Sequence, residues 1–330
     1  MNYKFLGKTG VKVSELCFGT MSFGREADEA ESAAMFKACC NAGVNFFDCA
    51  DIYAGGESER ILGRLIKDRR DEFIITSKVY FPTSGEANAM GASRRRIMIA
   101  VEASLERLGT DRIDIYFIHR FDDRTPLEDS LRALDDLVRQ GKIVYTGASN
   151  FAAWQVEKGL GISAKEGFVP FACIQPMYNL VKRQAESEIL PMALAEGLGV
   201  IPYSPLGGGL LTGKYASGGH PEGGRLATHD IYRARYSDSA YFDAAGRFAV
   251  FARERGFDPA SLAVAWVAAH PAVTAPIIGA RDTAQLRASL AAADVPMTQA
   301  LRAEISALTP EPPPATDRNE ERSAHSFGVR

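Results

Sequence analysis

Short apolar runs alternate with longer amphipathic segments along most of this chain, and the apolar runs are rich in β-branched and aromatic residues. Buried strands and amphipathic helices produce these two patterns, so the alternation predicts strand and helix units in turn. Eight runs have the length and composition of parallel strands: Glu15–Phe18, Val44–Asp48, Phe73–Ser77, Ile113–Ile118, Ile143–Gly147, Ala172–Gln175, Val200–Pro202 and Ala275–Ile278.

The segments between these runs have polar starts and glycine stops, which are typical helix boundaries. Eight strand–helix units in 330 residues favour a closed (β/α)8 TIM barrel of the α/β class over an open doubly wound sheet, which usually has fewer strands. The clearest predicted helices are Glu29–Ala42, Glu59–Ile66, Arg95–Leu108, Leu127–Gln140 and Glu186–Glu196, and the predicted stops are Gly43, Gly109, Gly141 and Gly197.

A β-hairpin is predicted before the first barrel strand. Tyr3–Leu6 and Val11–Val13 flank a glycine-bounded turn at residues 7–10, and the hairpin would close the bottom of the barrel. We therefore expect one barrel domain over residues 1–309. A proline-rich, charged tail over residues 310–330 would follow it.

Composition and charge narrow the class of protein. The chain is 46% hydrophobic and 24% charged, and its net charge of −3 provides no basic surface for nucleic acid. No apolar stretch reaches the roughly 18 to 20 residues of a membrane helix, and the N-terminus lacks a signal-peptide pattern, so we expect no membrane contact and a cytoplasmic location. The five cysteines lack CxxC spacing, which predicts reduced thiols rather than disulfides or a zinc site.

Ionisable side chains stand directly after three of the predicted strands. Asp48, Lys78 and His119 each follow an apolar run, and Tyr53 comes shortly after Asp48. The carboxyl ends of the strands form the mouth of a TIM barrel, where its active site lies, so we expect these side chains to converge. Each alone also has a structural explanation, as a cap, a loop anchor or a packed aromatic residue. Together they indicate a catalytic group.

Such a group suits the reduction of a carbonyl. The carbonyl oxygen becomes negative as hydride arrives and needs a proton donor, but a phenol normally titrates near about pH 10. A Lys78 ammonium beside Tyr53 would lower the pKa of the phenol, and Asp48 would hold Lys78 charged and in place. His119 would orient the carbonyl by donating a hydrogen bond where charge develops.

Short polar and glycine-containing motifs lie at the ends of the predicted strands. They are Asn45-Phe46-Phe47-Asp48-Cys49-Ala50-Asp51-Ile52-Tyr53, Gly56-Glu57-Ser58-Glu59, Ile118-His119-Arg120, Gly147-Ala148-Ser149-Asn150-Phe151, Gln175-Pro176-Met177-Tyr178-Asn179, Pro202-Tyr203-Ser204-Pro205-Leu206-Gly207-Gly208-Gly209-Leu210 and Pro276-Ile277-Ile278-Gly279-Ala280-Arg281. In their order along nearly the whole chain they resemble the aldo-keto reductase family, in particular its bacterial and potassium-channel β-subunit-like branch. The resemblance implies a barrel enzyme that reduces aldehydes or ketones, with Tyr53 as general acid, Lys78 and Asp48 as its tuning pair and His119 as carbonyl orienter.

The resemblance also implies a nicotinamide cofactor. In the family a Ser-Asn pair and a Gln hold the carboxamide and a Tyr stacks on the ring, and the matching residues are Ser149, Asn150, Gln175 and Tyr203. The other implied contacts are Gly19, Thr20 and Met21 on the nicotinamide side, Ser204, Pro205, Leu206, Gly208, Leu210 and Lys214 over the pyrophosphate, and Gly279, Ala280, Arg281 and Gln285 at the adenosine end.

Arg281 favours NADPH as the cofactor, because a guanidinium at the adenosine end can bind a 2′-phosphate bidentately and NADH lacks that phosphate. Two residues depart from the family pattern. Ser289 stands where relatives commonly carry Asn or Glu, which keeps NADH possible. Cys49 replaces the usual Thr after the catalytic Asp, and we interpret it as a packing residue because a neighbouring carboxylate raises the pKa of a thiol.

Three other functions stay open. A metal-dependent barrel hydrolase could use Asp48 and His119, but the chain has five histidines and no HxH or HExxH spacing. The same site could oxidise an alcohol or sugar with NAD(P), or serve a regulatory protein that binds NADPH like the channel β subunits.

The substrate and the oligomeric state are not predicted. Two long segments, Tyr80–Ala92 and Leu206–Ser237, lack a periodic pattern, and we expect irregular loops that line the substrate pocket. Their aromatic residues suit an apolar carbonyl compound. Arg225, Arg233 and Arg235 in the second loop could instead bind a phosphate or carboxylate.

Overall fold

A computed structural model describes residues 1–215, 224–318 and 320 of the chain. Within these residues the strands are β1 Tyr3–Phe5, β2 Lys12–Ser14, β3 Cys17–Gly19, β4 Phe46–Asp48, β5 Ile74–Val79, β6 Ile113–Ile118, β7 Ile143–Ser149, β8 Phe171–Gln175, β9 Gly199–Val200 and β10 Ile277–Ile278. The last eight form one parallel sheet in the order β10-β3-β4-β5-β6-β7-β8-β9. All eight strand predictions are confirmed, with ends shifted by at most two residues.

The parallel sheet closes on itself. Thr274 N donates to Val200 O and Ile277 N donates to Pro202 O, each over 2.9 Å, so the segment of β10 is joined to that of β9. A closed sheet has no free edge, and its strands' carboxyl ends surround a single mouth. The predicted (β/α)8 barrel is confirmed.

Helices pack around the outside of the barrel. In the described part of the chain they are α1 Glu29–Asn41, α2 Glu57–Ile66, α3 Arg94–Leu108, α4 Leu127–Arg139, α5 Ala153–Glu166, α6 Ile189–Glu196, α7 Arg225–Thr228, α8 Asp230–Arg235, α9 Ser239–Glu254, α10 Pro259–Ala268, α11 Thr283–Leu290 and α12 Gln299–Ser306. Asp28 and Ser93 cap the first turns of α1 and α3, and Gly109 ends α3 with a φ of 61°. Side-chain caps and a left-handed glycine stop are the boundaries that the sequence predicts.

Two sequence predictions about the connections are corrected. The helix predicted over Glu186–Glu196 begins only at Ile189, after a separate 3-10 turn at Gln184–Glu186, and Pro191 lies in its first turn, where a missing N–H is tolerated. The segment Leu206–Ser237 is not uniformly irregular, since it contains a 3-10 helix and the short α7 and α8, which are too short for a periodic pattern. Residues 216–223 of this segment, and residues 319 and 321–330 of the predicted tail, lie outside the described residues.

The N-terminal hairpin plugs the barrel. β1 and β2 pair antiparallel, and Leu6 and Val13 are fully buried in one apolar cluster with Phe46, Phe117 and Ile201 from the barrel interior. The predicted hairpin is therefore confirmed, and it closes the end of the barrel opposite the mouth.

Candidate active site

The two-residue period of a strand decides which side chains enter the barrel. In β4, Phe46 packs inside the barrel and Phe47 packs against the helices, so that Asp48 again faces inward at the mouth. In β5, Ser77 contacts a helix and Lys78 faces inward. The candidate residues are therefore brought to one place by alternation within each strand and by closure of the sheet.

Lys78 lies at the centre of the site. Its Nζ donates to Asp48 Oδ2 over 2.7 Å, to the backbone oxygen of Cys49 over 2.6 Å and to the Tyr53 hydroxyl over 3.2 Å. An ammonium has three donors, so these contacts satisfy all of them. The side chain is fully buried, and its length and direction are fixed by the three acceptors.

Asp48 is held from two other strands. Its Oδ1 accepts hydrogen bonds from Thr76 Oγ1 in β5, over 2.7 Å, and from Gln175 Nε2 in β8, over 2.8 Å. Both carboxylate oxygens are thus occupied when the Lys78 contact is included. Thr76 was not among the predicted site residues, although its position two residues before Lys78 on the same face of β5 indicated that it faces the mouth.

Burial changes the acid–base properties of this group. It raises the pKa of Tyr53, and the lowering by the Lys78 ammonium is smaller, so the net shift is upward. Lys78 lowers the tyrosine pKa as predicted, but the net pKa is raised, because the free-energy cost of removing a phenolate from water is larger than the stabilisation by one adjacent cation. For Lys78, burial lowers the pKa, but Asp48 and Tyr53 outweigh it and the net pKa is raised. The phenol keeps its proton and the amine keeps its charge.

His119 is the fourth predicted residue of the mouth. Its ring lies edge-on to Tyr53, with centroids 6.2 Å apart, and edge-on to Phe81 at 4.9 Å. Burial, followed by repulsion from Lys78, holds the pKa of the imidazole well below its usual value. A neutral imidazole carries one N–H donor, and Nδ1 has no hydrogen-bond partner among the described residues.

Four residues that the resemblance assigned to the nicotinamide are joined by hydrogen bonds, and one of them, Asn150, contacts His119. Asn150 Nδ2 donates to the backbone oxygen of His119 over 2.9 Å, and its Oδ1 accepts from the Tyr203 hydroxyl over 2.7 Å. Ser149 Oγ donates to the backbone oxygen of Gln175 over 3.0 Å. Asn150 has a φ of 57°, a left-handed conformation that costs energy in a residue other than glycine and is typical of functional sites.

A glycine turn follows Tyr203. Gly207, Gly208 and Gly209 have φ values of 59°, 68° and 96°, which side chains rarely adopt. A Cβ on Gly208 would lie 2.9 Å from the ring of Tyr232, and one on Gly209 would lie 2.9 Å from Lys214 Nζ. The turn therefore favours glycine for its backbone at all three positions, and for its packing at Gly208.

The other residues assigned to the pyrophosphate segment are placed differently. Pro205 and Leu210 are buried and Leu206 is half-buried, so at the first two a contact with a ligand would come from the backbone. Ser204 has a φ of 59°, and its backbone oxygen accepts from Asn179 Nδ2 over 2.9 Å.

The segment that the resemblance assigned to the nicotinamide side begins at the end of β3 and is only partly exposed. Gly19 and Met21 are half-buried, whereas Thr20 is fully buried. The Thr20 hydroxyl lies 2.8 Å from Ser58 Oγ and donates to the backbone oxygen of Asp48 over 3.1 Å. Thr20 therefore supports the strand ends, and its hydroxyl is engaged by the protein.

The segment assigned to the adenosine end follows β10. Gly279 is exposed, Ala280 is buried and Arg281 is half-buried, next to Asp282, which caps α11. Gln285 is exposed, and its Nε2 donates to Asp282 Oδ2 over 2.8 Å. Gly279, Arg281 and Gln285 form one surface strip at the start of α11, and Ala280 lies beneath the surface.

The two departures from the family pattern are both buried. Ser289 is 1% exposed on the inner face of α11. Cys49 Sγ lies 3.2 Å from Ser58 Oγ, and burial, with Glu59 nearby, raises the pKa of the thiol to about 12. The predicted packing and raised pKa of the Cys49 thiol are confirmed, although burial is the main cause and the contributing carboxylate is Glu59.

One arginine of the second loop, Arg235, lies over the ring of Tyr203, which is the residue predicted to stack on the nicotinamide. The Arg235 guanidinium carbon is 5.6 Å from the ring centroid of Tyr203 and 5.2 Å from that of Tyr232. Arg233 instead pairs with Asp230, and the side chain of Arg225 lies outside the described residues. From sequence these three arginines were indistinguishable, because only the packing of α8 places one of them on Tyr203.

The chain matches the model of the aldo/keto reductase family over residues 15–309. The chain belongs to this family. It is 36% identical over 323 residues to "Uncharacterized oxidoreductase YrpG" of Bacillus subtilis (strain 168), covering 94% of this chain and 97% of that protein. It is also 36% identical over 319 residues to a "Probable voltage-gated potassium channel subunit beta" of Oryza sativa subsp. japonica, covering 94% of each.

A third relative of this aldo/keto reductase is the "Versiconal hemiacetal acetate reductase" of Aspergillus parasiticus, 34% identical over 327 residues, covering 90% of this chain and 94% of that protein. The aldo/keto reductase is accordingly an oxidoreductase. In its described part, no helix has the length and apolar character needed to cross a membrane. In the same part, no three histidine, cysteine or acidic side chains are grouped so that they could hold a metal ion.

Proposed function

We propose that this aldo/keto reductase reduces aldehydes or ketones to alcohols with NADPH, and that Tyr53 is the general acid. The observation that carries the proposal is the buried chain of hydrogen bonds from Asp48 through Lys78 to the Tyr53 hydroxyl, next to a neutral His119. NADPH would supply the hydride when bound. The four side chains would donate the proton and stabilise the charge that develops on the carbonyl oxygen.

Tyr53 begins the reaction with its proton in place, because burial keeps its pKa high. As the carbonyl oxygen becomes negative it takes this proton, and a phenolate is left 3.2 Å from the Lys78 ammonium. The cation therefore stabilises a charge that exists only as the proton moves, which is the interaction that lowers an activation barrier. Asp48 keeps Lys78 charged and aimed throughout.

His119 fits the role of carbonyl orienter. Its ring lies edge-on to that of Tyr53, so a carbonyl oxygen between the two would meet both the phenol and an imidazole N–H. Burial and the Lys78 charge keep the imidazole neutral, so it can donate a hydrogen bond without competing as a stronger acid.

The residues assigned to the cofactor fit a dinucleotide. Tyr203 offers a ring held in place by Asn150, and Ser149 and Gln175 supply the hydroxyl and amide chemistry that a carboxamide requires. The glycine turn with Lys214 beside it suits a pyrophosphate. The proposed contacts are Gly19, Met21, Ser149, Asn150, Gln175, Tyr203, Lys214, Gly279, Arg281 and Gln285, with backbone contacts from Thr20, Ser204, Pro205, Leu206, Gly208, Leu210 and Ala280.

The preference for NADPH rests on Arg281. It is half-buried at the start of α11, where its guanidinium can meet a 2′-phosphate, which would gain charge-assisted hydrogen bonds that NADH cannot make. NADH stays the alternative, since the buried Ser289 offers no long polar side chain where relatives commonly carry Asn or Glu.

A second candidate function follows from the similarity to proteins described as probable potassium channel β subunits. In that case the chain would bind NADPH tightly, turn over slowly and serve a regulatory role. Oxidation of an alcohol or sugar by the same residues would be the reverse reaction.

The deciding experiment is a panel of aldehydes and ketones with NADPH or NADH, followed by loss of cofactor absorbance. We expect rapid NADPH oxidation with at least one carbonyl compound and weaker activity with NADH. Tight NADPH binding without steady-state turnover on any compound would favour the regulatory alternative, and faster alcohol oxidation with NAD would favour the reverse reaction.

A further inference from the structure

Two buried ion pairs tie the segment that carries Tyr53 to one helix. Arg96 Nη2 donates to Asp51 Oδ2 over 2.7 Å, with side chains 7% and 1% exposed. Arg107 Nε donates to Glu59 Oε2 over 2.6 Å, and the Glu59 side chain is fully buried. Both arginines belong to α3, while Asp51 and Glu59 lie on either side of Tyr53. The general acid is thus carried between two anchors on the same helix.

The turn between these anchors needs outside support. Ala54 has a φ of 49°, a left-handed conformation that is unfavourable for alanine and persists only where the surroundings impose it. The turn has backbone hydrogen bonds of its own, from Tyr53 N to Ala50 O over 3.1 Å, from Gly55 N to Ile52 O over 3.2 Å, and from Glu57 N to the oxygens of Tyr53 and Ala54. The backbone of Asp51 donates to Lys78 O over 3.3 Å, so Asp51 lies directly between the arginine anchor and the catalytic strand.

The Asp51 pair is incompletely satisfied. Asp51 Oδ1, Arg96 Nε and the Tyr116 hydroxyl are all buried without a hydrogen-bond partner among the described residues. Asp51 is faced by Arg96 and Arg107 from α3, by Glu59 from α2 and by Tyr116 from β6. Buried polar atoms normally have partners, so this arrangement marks a group whose charge is only partly compensated.

We propose that Asp51 is a positioning residue for the general acid, and that its ionised carboxylate holds the Tyr53 turn through Arg96. The inference rests on the proposed role of Tyr53. Ionised Asp51 attracts the guanidinium and fixes the turn, so the Tyr53 hydroxyl stays on Lys78. Protonated Asp51 loses that attraction, and the strained turn is then held to α3 only by the ion pair between Glu59 and Arg107.

The expected pH dependence follows from the charge of Asp51. Burial raises its pKa from 3.8 to about 7, more than Arg96 lowers it. Reductase activity should therefore rise as the pH rises through about 7. Between pH 3.8 and about 7 the folded chain holds a proton that the unfolded chain has lost, so the stability contributed by this group falls as the pH rises. Activity and stability should therefore change in opposite directions as the pH rises through about 7.

The first test compares Asp51→Asn with a matched control. Asp114→Asn also breaks a largely buried pair, Asp114 with Arg70 at 2.6 Å, away from the Tyr53 turn. We expect Asp51→Asn to lower kcat above pH 7 by about tenfold to a hundredfold, because a small misplacement of a catalytic group has effects of that size. The KM for NADPH should stay unchanged and the acidic limb of the pH profile should disappear. Asp114→Asn should keep the rise in activity with pH. Arg96→Gln should move this rise to higher pH, because Asp51 then ionises without the guanidinium that lowers its pKa.

The second test does not depend on turnover. Hydrogen exchange at residues 50–58, measured by mass spectrometry at pH 8, should be several-fold faster in Asp51→Asn than in wild type or Asp114→Asn. An unchanged acidic limb or unchanged exchange in Asp51→Asn would overturn the inference. If no carbonyl compound is reduced, the proposed function fails, and normal exchange in Asp51→Asn would separately show that Asp51 does not hold the turn.

Discussion

Lys78 shows how much of the candidate chemistry depends on single atoms. Its three N–H groups go to a carboxylate, a backbone carbonyl and the Tyr53 hydroxyl, and none is left for water. Burying an ammonium is costly unless it is paired, and Asp48 provides that pairing. The Tyr53 oxygen therefore accepts a hydrogen bond from a cation that two other acceptors hold in place.

Replacing Tyr53 by Phe tests the proton source directly. Tyr53→Phe removes the phenol and leaves the ring, so kcat should fall by about 10²- to 10⁴-fold, the usual contribution of a general acid. The Kd for NADPH should stay within about threefold, since the hydroxyl is not a proposed cofactor contact. Steady-state kinetics and fluorescence titration measure the two. Tyr145→Phe, at a tyrosine whose hydroxyl meets Thr9 O at 3.4 Å, is the control. Activity of Tyr53→Phe within a few-fold of wild type would place the proton elsewhere.

At the scale of elements, β7 positions Ser149 and Asn150 through a glycine. A Cβ on Gly147 would lie 2.4 Å from Phe117 Cε1 and 3.0 Å from Cys173 O, so the strand can pack between β6 and β8 only without a side chain there. Gly161 in α5 has open space around its Cα, where added atoms meet nothing. Two glycines in neighbouring elements thus have opposite packing requirements.

Alanine at these two glycines should change stability in opposite directions. Gly147→Ala forces a methyl group into Phe117 and should lower the free energy of unfolding by about 1–3 kcal/mol. Gly161→Ala is a glycine-to-alanine change in an exposed helix and should raise it by up to about 1 kcal/mol. Urea unfolding followed by circular dichroism gives both values. Equal effects of the two substitutions would contradict the packing assigned to β7.

At the scale of the whole molecule, barrel closure brings together residues that are far apart in sequence. Gln175 reaches Asp48 across the mouth, and the strip at the start of α11 lies beside β3 because β10 pairs with β3. A dinucleotide along this surface would contact both ends of the chain. Ligand binding should therefore stabilise the barrel as a unit.

Cofactor-induced stabilisation tests the role of Arg281. Binding at 100 times Kd stabilises a protein by about 2.7 kcal/mol. Arg281→Ala should remove charge-assisted hydrogen bonds worth about 1.5–3 kcal/mol, which weakens NADPH binding by about tenfold to a hundredfold. Thermal unfolding should then show a smaller shift with NADPH and an unchanged shift with NADH. Arg287→Ala, at an exposed arginine of the same helix, is the control. Equal losses for both cofactors would refute the 2′-phosphate contact.

The sequence predicted the order of elements well because each prediction depends on local pattern. Eight strands, the hairpin and the glycine stops follow from period and composition, and Asp48, Lys78 and His119 follow from their place after apolar runs. The helices α7 and α8 were missed because short helices carry too few residues for a period. Thr20 follows the first barrel strand as predicted, but its hydroxyl contacts Ser58, and no sequence pattern indicates that contact.

The sequence alone determined which residues form strands, which of them carry ionisable groups at their ends, and the family to which these motifs belong. Only the tertiary structure decided the direction of the Tyr53 pKa shift, the placing of Arg235 on Tyr203 and the anchoring of Asp51 on Arg96. The physical reason is that alternation is a property of neighbouring residues. Burial and long-range ion pairs depend on how distant elements pack, and those terms set the charge states of the site.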